Sequence, residues 1–201
     1  MPETNRGKIT LVLGGARTGK SRYAQKLAER ASAVAFVATA KAVDDEMREK
    51  ILRHRHERPK NWRTFEEPLD LAQIIAEHAS RFDLLLVDCL TLFVANILEE
   101  NPTRAEARIT DFLDSLRTAS ACIVLVSNEV GSGVVPAYPL GRRFRDALGE
   151  LNQKVAAIAD NVVLMIAGLP MALKGQIELG QIEVGQVQVR QIKSEDMQVR
   201  P

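Results

Sequence analysis

Short apolar runs alternate with amphipathic segments along most of the chain. The apolar runs are rich in Val, Ile and Leu and lack alternating polar positions, which is typical of strands buried on both faces of a parallel sheet. The segments between them have helical periodicity. Strands that alternate with helices predict βαβ units and a sheet covered by helices on both sides. The predicted strands are 9–13, 34–38, 84–87, 123–127 and 162–166, and the predicted helices include 20–31, 44–55, 69–79 and 104–119.

The last predicted helix has one apolar stripe, and the chain changes character after it. From Gly175 the sequence is a five-residue quasi-repeat, GQIEL, GQIEV, GQVQV and RQIKS. So short a period matches no solenoid unit, and its glycines weaken a strand. We therefore predict one domain over 1–174 and a repetitive C-terminal tail, a short appendage, over 175–201. The stripe consists of Leu140, Phe144, Leu148, Leu151, Val155 and Ile158, which recur every three or four residues.

Composition restricts the possible classes of function. The 201 residues, 46% hydrophobic and 26% charged, fit one compact domain with an ordinary core. A formal net charge of +1 argues against a broad nucleic-acid-binding surface. The sequence has no apolar run long enough for stable membrane insertion and no apolar signal-peptide core at its start. Cys89 and Cys122 lie far apart and read as buried small side chains, so we expect a reduced, cytoplasmic protein.

A candidate phosphate-binding loop follows the first predicted strand. Its glycines allow successive backbone N–H groups to face a phosphate, and the helix N-terminus adds partial positive charge. Lys20 can reach the β- and γ-phosphates of a nucleotide, and Ser21 can coordinate Mg²⁺. The sequence therefore predicts a P-loop NTPase-like α/β fold with a mostly parallel sheet, the alternative being a chance glycine-rich turn. The loop comprises Gly14, Gly15, Ala16, Arg17, Thr18, Gly19, Lys20 and Ser21, which match G-x-x-x-x-G-K-S.

Asp88 ends the apolar run LLLVD, where a carboxylate can hold Mg²⁺ directly or through water. The alternative interpretation is an acid that merely ends a strand. A P-loop alone does not define the reaction, because switch GTPases, motor ATPases and small-molecule kinases share it. The sequence after 123–127 reads NEVG and lacks the Asn-Lys-x-Asp that reads guanine, so an ordinary switch GTPase is disfavoured.

Two of the three histidines lie in an arginine-rich segment. His54 and His56 are accompanied by Arg53, Arg55 and Arg58. Such a cluster suits a phosphate, and a neutral imidazole can attack phosphorus to form a phosphoramidate. The alternative interpretation is a solvated basic helix end. The third histidine, at position 78, stands alone in a helical segment, and we predict a structural role for it.

Several stretches together resemble one enzyme family. They are GGARTGKSRYA, the ATA after the second predicted strand, DDEM, HRxxRPxxWRTxEEP, SNEVGxGVVP and GRRFRDxLGxLNQ. The combination resembles the bifunctional adenosylcobinamide kinase/adenosylcobinamide-phosphate guanylyltransferases of cobalamin biosynthesis, over about 9–174. The resemblance implies that ATP or GTP phosphorylates the aminopropanol hydroxyl of adenosylcobinamide. It also implies that GTP then gives GMP to that phosphate, which releases pyrophosphate and forms adenosylcobinamide-GDP.

The same resemblance implies site residues and partners. His54 matches the histidine that carries GMP covalently in the family, which makes His54 and Lys20 the expected catalytic residues. Mg²⁺ is the expected cofactor, at Ser21 and Asp88. The expected partners are adenosylcobinamide, its phosphate, GTP, ATP and further copies of the chain in a homo-oligomer, a trimer in the family. The implied nucleotide contacts beyond the P-loop are Ala38, Thr39, Ala40, Arg55, His56, Glu57, Arg58, Glu66 and Asp88.

Two alternatives to this bifunctional enzyme stay open. One is a single-function small-molecule P-loop kinase in which His54 is structural, and the other is a nucleotide-gated binding protein. The histidine and arginine segment favours the bifunctional enzyme over the plain kinase, and the missing Asn-Lys-x-Asp argues against the binding protein. Four further charged residues contact either the corrinoid or a neighbouring subunit, or are solvated: Glu129, Arg142, Arg143 and Arg145.

Overall fold

The computed structural model describes residues 6–41, 45, 48–49, 55 and 58–176. Strands and helices alternate through most of this part of the chain, as the apolar pattern predicts. In chain order they are β1 Ile9–Gly14, α1 Lys20–Ala28, β2 Val34–Ala38, β3 Arg63–Glu66, α2 Leu71–His78, β4 Leu84–Asp88, α3 Leu90–Glu100, α4 Ala105–Thr118, β5 Cys122–Val126, α5 Pro139–Ile158, β6 Asn161–Ile166 and β7 Leu169–Lys174.

The strands form one sheet that is parallel except at its last strand. Their order is β3-β2-β4-β5-β1-β6-β7, and β7 pairs antiparallel with β6. Val126, at the end of β5, pairs with Val12 of β1 on one side and with Asp88 of β4 on the other. The loop after β1 and the carboxylate after β4 therefore lie at the same carboxyl edge of the sheet, separated by one strand. In parallel sheets this edge is where ligands bind.

Helices cover both faces of the sheet. Leu11 of β1 and Phe112 of α4 belong to a core cluster on one face, together with side chains of α2, α3 and α5. Val12 of β1, Tyr23 of α1 and Phe36 of β2 belong to a second cluster on the opposite face. Successive β1 residues thus enter different cores, which is why the central strands are continuously apolar. The predicted α/β fold with a mostly parallel, doubly covered sheet is confirmed.

The five predicted strands are present, with ends that differ from the prediction by one residue at most. β3, β7 and α3 were not predicted. β3 is a four-residue edge strand, RTFE, with both end residues exposed, so it lacks an apolar run. α3 is apolar on most of its circumference, with Leu90, Phe93, Val94 and Ile97 buried, so it has no amphipathic stripe to reveal its helical period.

The helix boundaries follow local chemistry. α2 begins at Leu71 rather than at 69 because the Asp70 carboxylate accepts a hydrogen bond from the Gln73 N–H group at 3.1 Å and caps the helix. In α5 the predicted stripe is buried at Leu148, Leu151 and Val155. The stripe prediction is wrong at its first residue, because Leu140 is 63% exposed.

Two predicted segments fall largely outside the described residues. In the predicted helix 44–55, the described Asp45, Arg48, Glu49 and Arg55 are helical. The tail predicted over 175–201 is described only to Gln176. No described helix combines the length and the hydropathy that a membrane span requires.

Candidate functional site

The loop between β1 and α1 has the backbone conformation of a phosphate-binding loop. Gly14, Arg17 and Gly19 have positive φ angles of 150°, 57° and 91°. Alternation of right- and left-handed residues turns successive N–H groups toward one concave side. A Cβ atom at Gly14 would lie 2.5 Å from the Met165 carbonyl oxygen, so glycine is required there. The Thr18 hydroxyl donates to the Gly15 carbonyl at 3.0 Å and closes the loop.

Lys20 is the first residue of α1, and its ammonium group lies against this loop. Its Nζ atom donates to the Gly15 carbonyl oxygen at 2.5 Å, and the side chain is buried. Burial lowers the pKa of Lys20, while the acidic groups of Cys89 and Asp88 oppose that shift. An ammonium group that has lost most of its water gains more from a phosphate than an exposed one does.

A cavity of about 310 Å³ lies beside the loop at the carboxyl edge of the sheet. Its volume is in the range of small-ligand sites. Eight residues that the sequence assigns to nucleotide binding line it: Ala16, Arg17, Lys20, Ser21, Ala38, Ala40, Arg58 and Asp88. Five that the sequence does not assign complete the lining: Phe36, Cys89, Leu92, Val126 and Asn128.

Arg58 is held in the wall of this cavity by aromatic stacking. Its guanidinium carbon lies 3.6 Å from the Phe36 ring centroid, and Phe36 stacks on the buried Trp62. Its Nη1 atom donates to the Thr64 hydroxyl at 3.4 Å, whereas its buried Nε atom has no hydrogen-bond partner among the described residues. Burial lowers the pKa of Arg58, and the nearby Asp88 carboxylate opposes the shift. Arg58 therefore offers a fixed cation to an anionic ligand.

Comparison with known proteins agrees with this geometry. A family model described as cobinamide kinase / cobinamide phosphate guanyltransferase matches residues 10–173. The chain belongs to this family. It is 48% identical over 168 residues to the bifunctional adenosylcobalamin biosynthesis protein CobP of Pseudomonas aeruginosa, an alignment that covers 83% of this chain and 97% of that protein. It is 40% identical over 180 residues to the bifunctional adenosylcobalamin biosynthesis protein CobU of Salmonella typhimurium, with 83% and 99% covered.

A solved structure supports the fold. An ATPase from the type III secretion system of pathogenic bacteria superposes on this chain with a TM-score of 0.52 and 11% sequence identity. The match covers 83% of this chain and 57% of the ATPase. At such low identity the likeness shows the fold alone, and that fold is the P-loop NTPase-like architecture predicted from the sequence.

Two oxygen-bearing side chains of this family member fit a divalent cation. The Ser21 hydroxyl and the Asp88 carboxylate belong to residues that line the same cavity, and Mg²⁺ prefers such hard oxygen donors. Within the described part of the chain, no group of three or more His, Cys, Asp or Glu side chains is arranged to hold a metal. An ion at these two residues would therefore complete its coordination with phosphate oxygens and water, as Mg²⁺ commonly does.

Thr39, an expected nucleotide contact, forms hydrogen bonds within the fold, and its role toward a nucleotide stays a prediction. It is fully buried, and its hydroxyl both accepts from the Cys89 N–H group and donates to the Cys89 carbonyl, each at 2.8 Å. Its own carbonyl accepts from Asn96 Nδ2 at 2.8 Å. Thr39 thus connects the ends of β2 and β4 and does not line the cavity.

The arginine-rich segment is only partly described. Arg55 and Glu66 are exposed, their charged atoms are 4.0 Å apart, and neither residue lines the cavity. His54, His56 and Glu57 lie outside the described residues. Their assigned roles therefore stay predictions.

The remaining sequence predictions have mixed outcomes. His78 is structural, as expected, because it is buried with its ring stacked on Phe65 at 4.0 Å. Cys89 and Cys122 form no disulfide, as expected, and they are partly rather than fully buried, packed against the second core cluster. Cys89 lines the cavity, and burial raises the pKa of its thiol. The four charged residues near α5 hydrogen-bond within the chain: Glu129 with Gly131, Arg142 with Pro136 and Ala137, Arg143 with Pro102, and Arg145 with Asp146.

Proposed function

We propose that this chain is a bifunctional enzyme that phosphorylates adenosylcobinamide and then attaches GMP to the product. In the first reaction the aminopropanol hydroxyl attacks the γ-phosphorus of ATP or GTP, and a nucleoside diphosphate leaves. In the second reaction GTP supplies GMP, pyrophosphate leaves, and adenosylcobinamide-GDP forms. Membership in a family described by both activities, and relatives named as bifunctional, support this proposal.

The observation that carries the proposal is the convergence of charged groups on one cavity at the N-terminus of α1. Lys20 and Ser21 come from the P-loop, Asp88 from the end of β4 and Arg58 from the segment before β3. A chance glycine-rich turn would require neither the carboxylate nor the second cation. The combination is what a nucleoside triphosphate needs: amides and cations for its phosphates, and oxygen ligands for its metal.

Each group has a role in the kinase reaction. The loop amides and Lys20 stabilise the charge that develops on the transferred phosphoryl group and on the leaving diphosphate. Ser21 and Asp88 would hold Mg²⁺, which would further neutralise the phosphate oxygens when bound. Arg58 offers an anionic ligand its Nε–H donor, which has no partner within the described part of the chain.

We assign the nucleotidyl transfer to His54. Its imidazole nitrogen would attack the α-phosphorus of GTP as the bond to pyrophosphate breaks, which forms a GMP–histidine. A phosphate oxygen of adenosylcobinamide phosphate would then attack the same phosphorus and release the imidazole. The position that matches the family histidine, the cations at Arg55 and Arg58, and the four-residue separation between His54 and the cavity-lining Arg58 support this assignment.

The proposal has further parts. Catalysis resides in 1–174, and 175–201 is a separate appendage to which we assign no reaction. The enzyme acts as a homo-oligomer, a trimer like its family, in the cytoplasm, where ATP and GTP are available.

Labelling with GTP that carries radioactive phosphorus at the α position tests the proposal. We expect acid-labile, alkali-stable label on the wild type and on His56→Asn, and none on His54→Asn. Label on His54→Asn but not on His56→Asn would show that His56, and not His54, carries GMP. A wild type that phosphorylates adenosylcobinamide but takes no label would be a single-function kinase. That result would contradict the guanylyltransferase part of the proposal.

A further inference from the structure

The segment after β5 is fixed against the P-loop strand. β5 lies between β1, which leads into the P-loop, and β4, which ends at Asp88. The Ser127 N–H group donates to the Val12 carbonyl at 3.0 Å, and the Glu129 N–H group donates to the Gly14 carbonyl at 3.1 Å. The residue between them, Asn128, is therefore held at a constant distance from the loop that follows Gly14.

Two helices also fix the backbone of Asn128. Its N–H group donates to the Thr91 hydroxyl of α3 at 3.0 Å, and its carbonyl accepts from Asn152 Nδ2 of α5 at 3.0 Å. Asn152 is only 6% exposed, and its Oδ1 atom accepts from the Ser127 hydroxyl at 2.7 Å. Side chains thus satisfy both backbone polar groups of Asn128, which is unusual for a single loop residue.

The side chain of Asn128 has no such partner. Asn128 is half-buried and lines the same cavity as Lys20, Ser21 and Asp88. Among the residues that the structure describes, none hydrogen-bonds to its carboxamide. A carboxamide carries two N–H donors and one carbonyl acceptor, and partly buried polar groups are normally paired. The natural partner is a ligand in the cavity.

Strand order identifies the part of the ligand that lies closest. Asn128 follows β5, the strand next to the P-loop strand, whereas Phe36 and Ala38 lie on β2, two strands further from β1. Asn128 is therefore on the P-loop side of the cavity, further from the Phe36–Arg58 stack. An ionised phosphate has only acceptors, so the N–H₂ group of the carboxamide is the half that can bond to it.

We propose that the Asn128 carboxamide donates a hydrogen bond to the phosphoryl group that is transferred in the kinase reaction, and that Asn152 is the positioning residue that holds Asn128 there. This inference rests on the proposed kinase function. The aminopropanol oxygen bonds to phosphorus as the bond to the leaving diphosphate breaks, its proton is released to water, and Asn128 keeps its own protons throughout. A fixed neutral donor stabilises the charge on the phosphoryl oxygens without adding a cation beside Lys20.

Steady-state kinetics of adenosylcobinamide phosphorylation test Asn128. We expect Asn128→Ala to lower kcat about 10²-fold with little change in the KM for the nucleotide, because the lost bond matters most in the transition state. Asn128→Asp keeps the shape but replaces the donor by a carboxylate that repels phosphate, so kcat should fall at least as far. The matched control is Asn161→Ala, a half-buried amide at the opposite end of the sheet, which should keep the wild-type kcat.

The same assay tests Asn152. We expect Asn152→Ala to lower kcat about 10-fold at unchanged nucleotide KM, a split that general destabilisation would not produce. Circular dichroism at the assay temperature checks that each variant is folded. If Asn128→Ala is unfolded, Asn128→Asp takes its place in the test. An active wild type with an equally active Asn128→Ala or Asn128→Asp overturns the inference alone. A wild type without phosphorylation overturns the proposed function and this inference together.

Discussion

Two of the cavities that the described residues form lie at opposite ends of the same helix and the same strands, and only one of these two is built for phosphate. The first, of about 310 Å³, lies at the N-terminus of α1 and the carboxyl ends of β2, β4 and β5. The second, of about 190 Å³, lies beside Tyr23 and Leu27 of α1 and the amino ends of β1, β4, β5 and β6. The second also contains two cations, Lys8 and Arg30. Positive charge alone therefore does not distinguish them.

Backbone geometry does distinguish them. The first cavity is next to a loop with three positive φ angles within six residues and to the positive end of the helix dipole. Arg30 lies just beyond the C-terminus of α1, where a cation neutralises the negative end of the dipole. Lys20 is buried, whereas Lys8 and Arg30 are exposed and well hydrated. The comparison teaches that a buried cation with oriented amides makes a phosphate site, and exposed cations do not.

Replacing one lysine in each cavity by alanine should give the largest difference in kinase activity between the two cavities. We expect Lys20→Ala to lower the rate of adenosylcobinamide phosphorylation by at least about 10²-fold, because it removes charge stabilisation in the transition state. Lys8→Ala should stay within about twofold of the wild type, because an exposed cation of that kind contributes little. The comparison breaks if both variants are equally active or equally impaired in a phosphorylation assay.

The next largest difference in kinase activity should come from substituting the two aspartates at opposite ends of β4. Asp88 lines the first cavity, and Asp83, just before the strand, accepts a hydrogen bond from the Ala33 N–H group at 2.9 Å. We expect Asp88→Asn to lower kinase activity about tenfold or more and to raise the Mg²⁺ concentration needed for half-maximal rate. Asp83→Asn should leave both quantities unchanged. A Mg²⁺ titration of the three proteins decides the matter, and an unchanged Mg²⁺ requirement in Asp88→Asn would remove Asp88 from the metal site.

The smallest effect concerns stability at the amino end of the sheet. Arg6 forms two hydrogen bonds of 2.9 Å with the Asp160 carboxylate, which also accepts from the Ile9 N–H group at 2.7 Å. Burial alone raises the pKa of Asp160, but these hydrogen bonds outweigh burial and lower the pKa. The pair is partly exposed, so we expect Arg6→Ala to lower the free energy of unfolding by only about 0.5–1 kcal/mol at pH 7.

The lowered pKa fixes the pH dependence of that effect. A carboxylate with a lowered folded pKa contributes its full stabilisation above its unfolded pKa of about 3.9, and the contribution is lost as the pH falls through the folded pKa. Urea unfolding of wild type and Arg6→Ala should therefore converge in acid, while kinase activity at pH 7 stays equal. Arg117→Ala, which breaks a more exposed pair with Asp114, is the control with a smaller effect. Curves that stay apart in acid would contradict the assigned role of Asp160.

The same contrast explains what the sequence could predict. The P-loop was predictable because strand, glycines, Lys20, Ser21 and helix follow one another in the chain, and Asp88 because it ends a conspicuous apolar run. Phe36 and Leu92 were missed because they enter the cavity from segments far apart in the chain and belong to no motif. Asn128 lies in the SNEVGxGVVP stretch, but that stretch assigned it no role until the sheet placed it beside the P-loop. Thr39 lies in the stretch the family resemblance implies, yet strand pairing directs its hydroxyl to Cys89. Only the folded sheet shows which of these side chains line the cavity and which form hydrogen bonds within the fold.

A crystal structure of the protein with Mg²⁺ and a non-hydrolysable GTP analogue tests the central claim most directly. The account predicts density for the β- and γ-phosphates against the amides of 15–21 and the Lys20 ammonium group, at the carboxyl edge of the sheet. Phosphates found beside Lys8 and Arg30 instead, with the loop before α1 free of ligand, would contradict it.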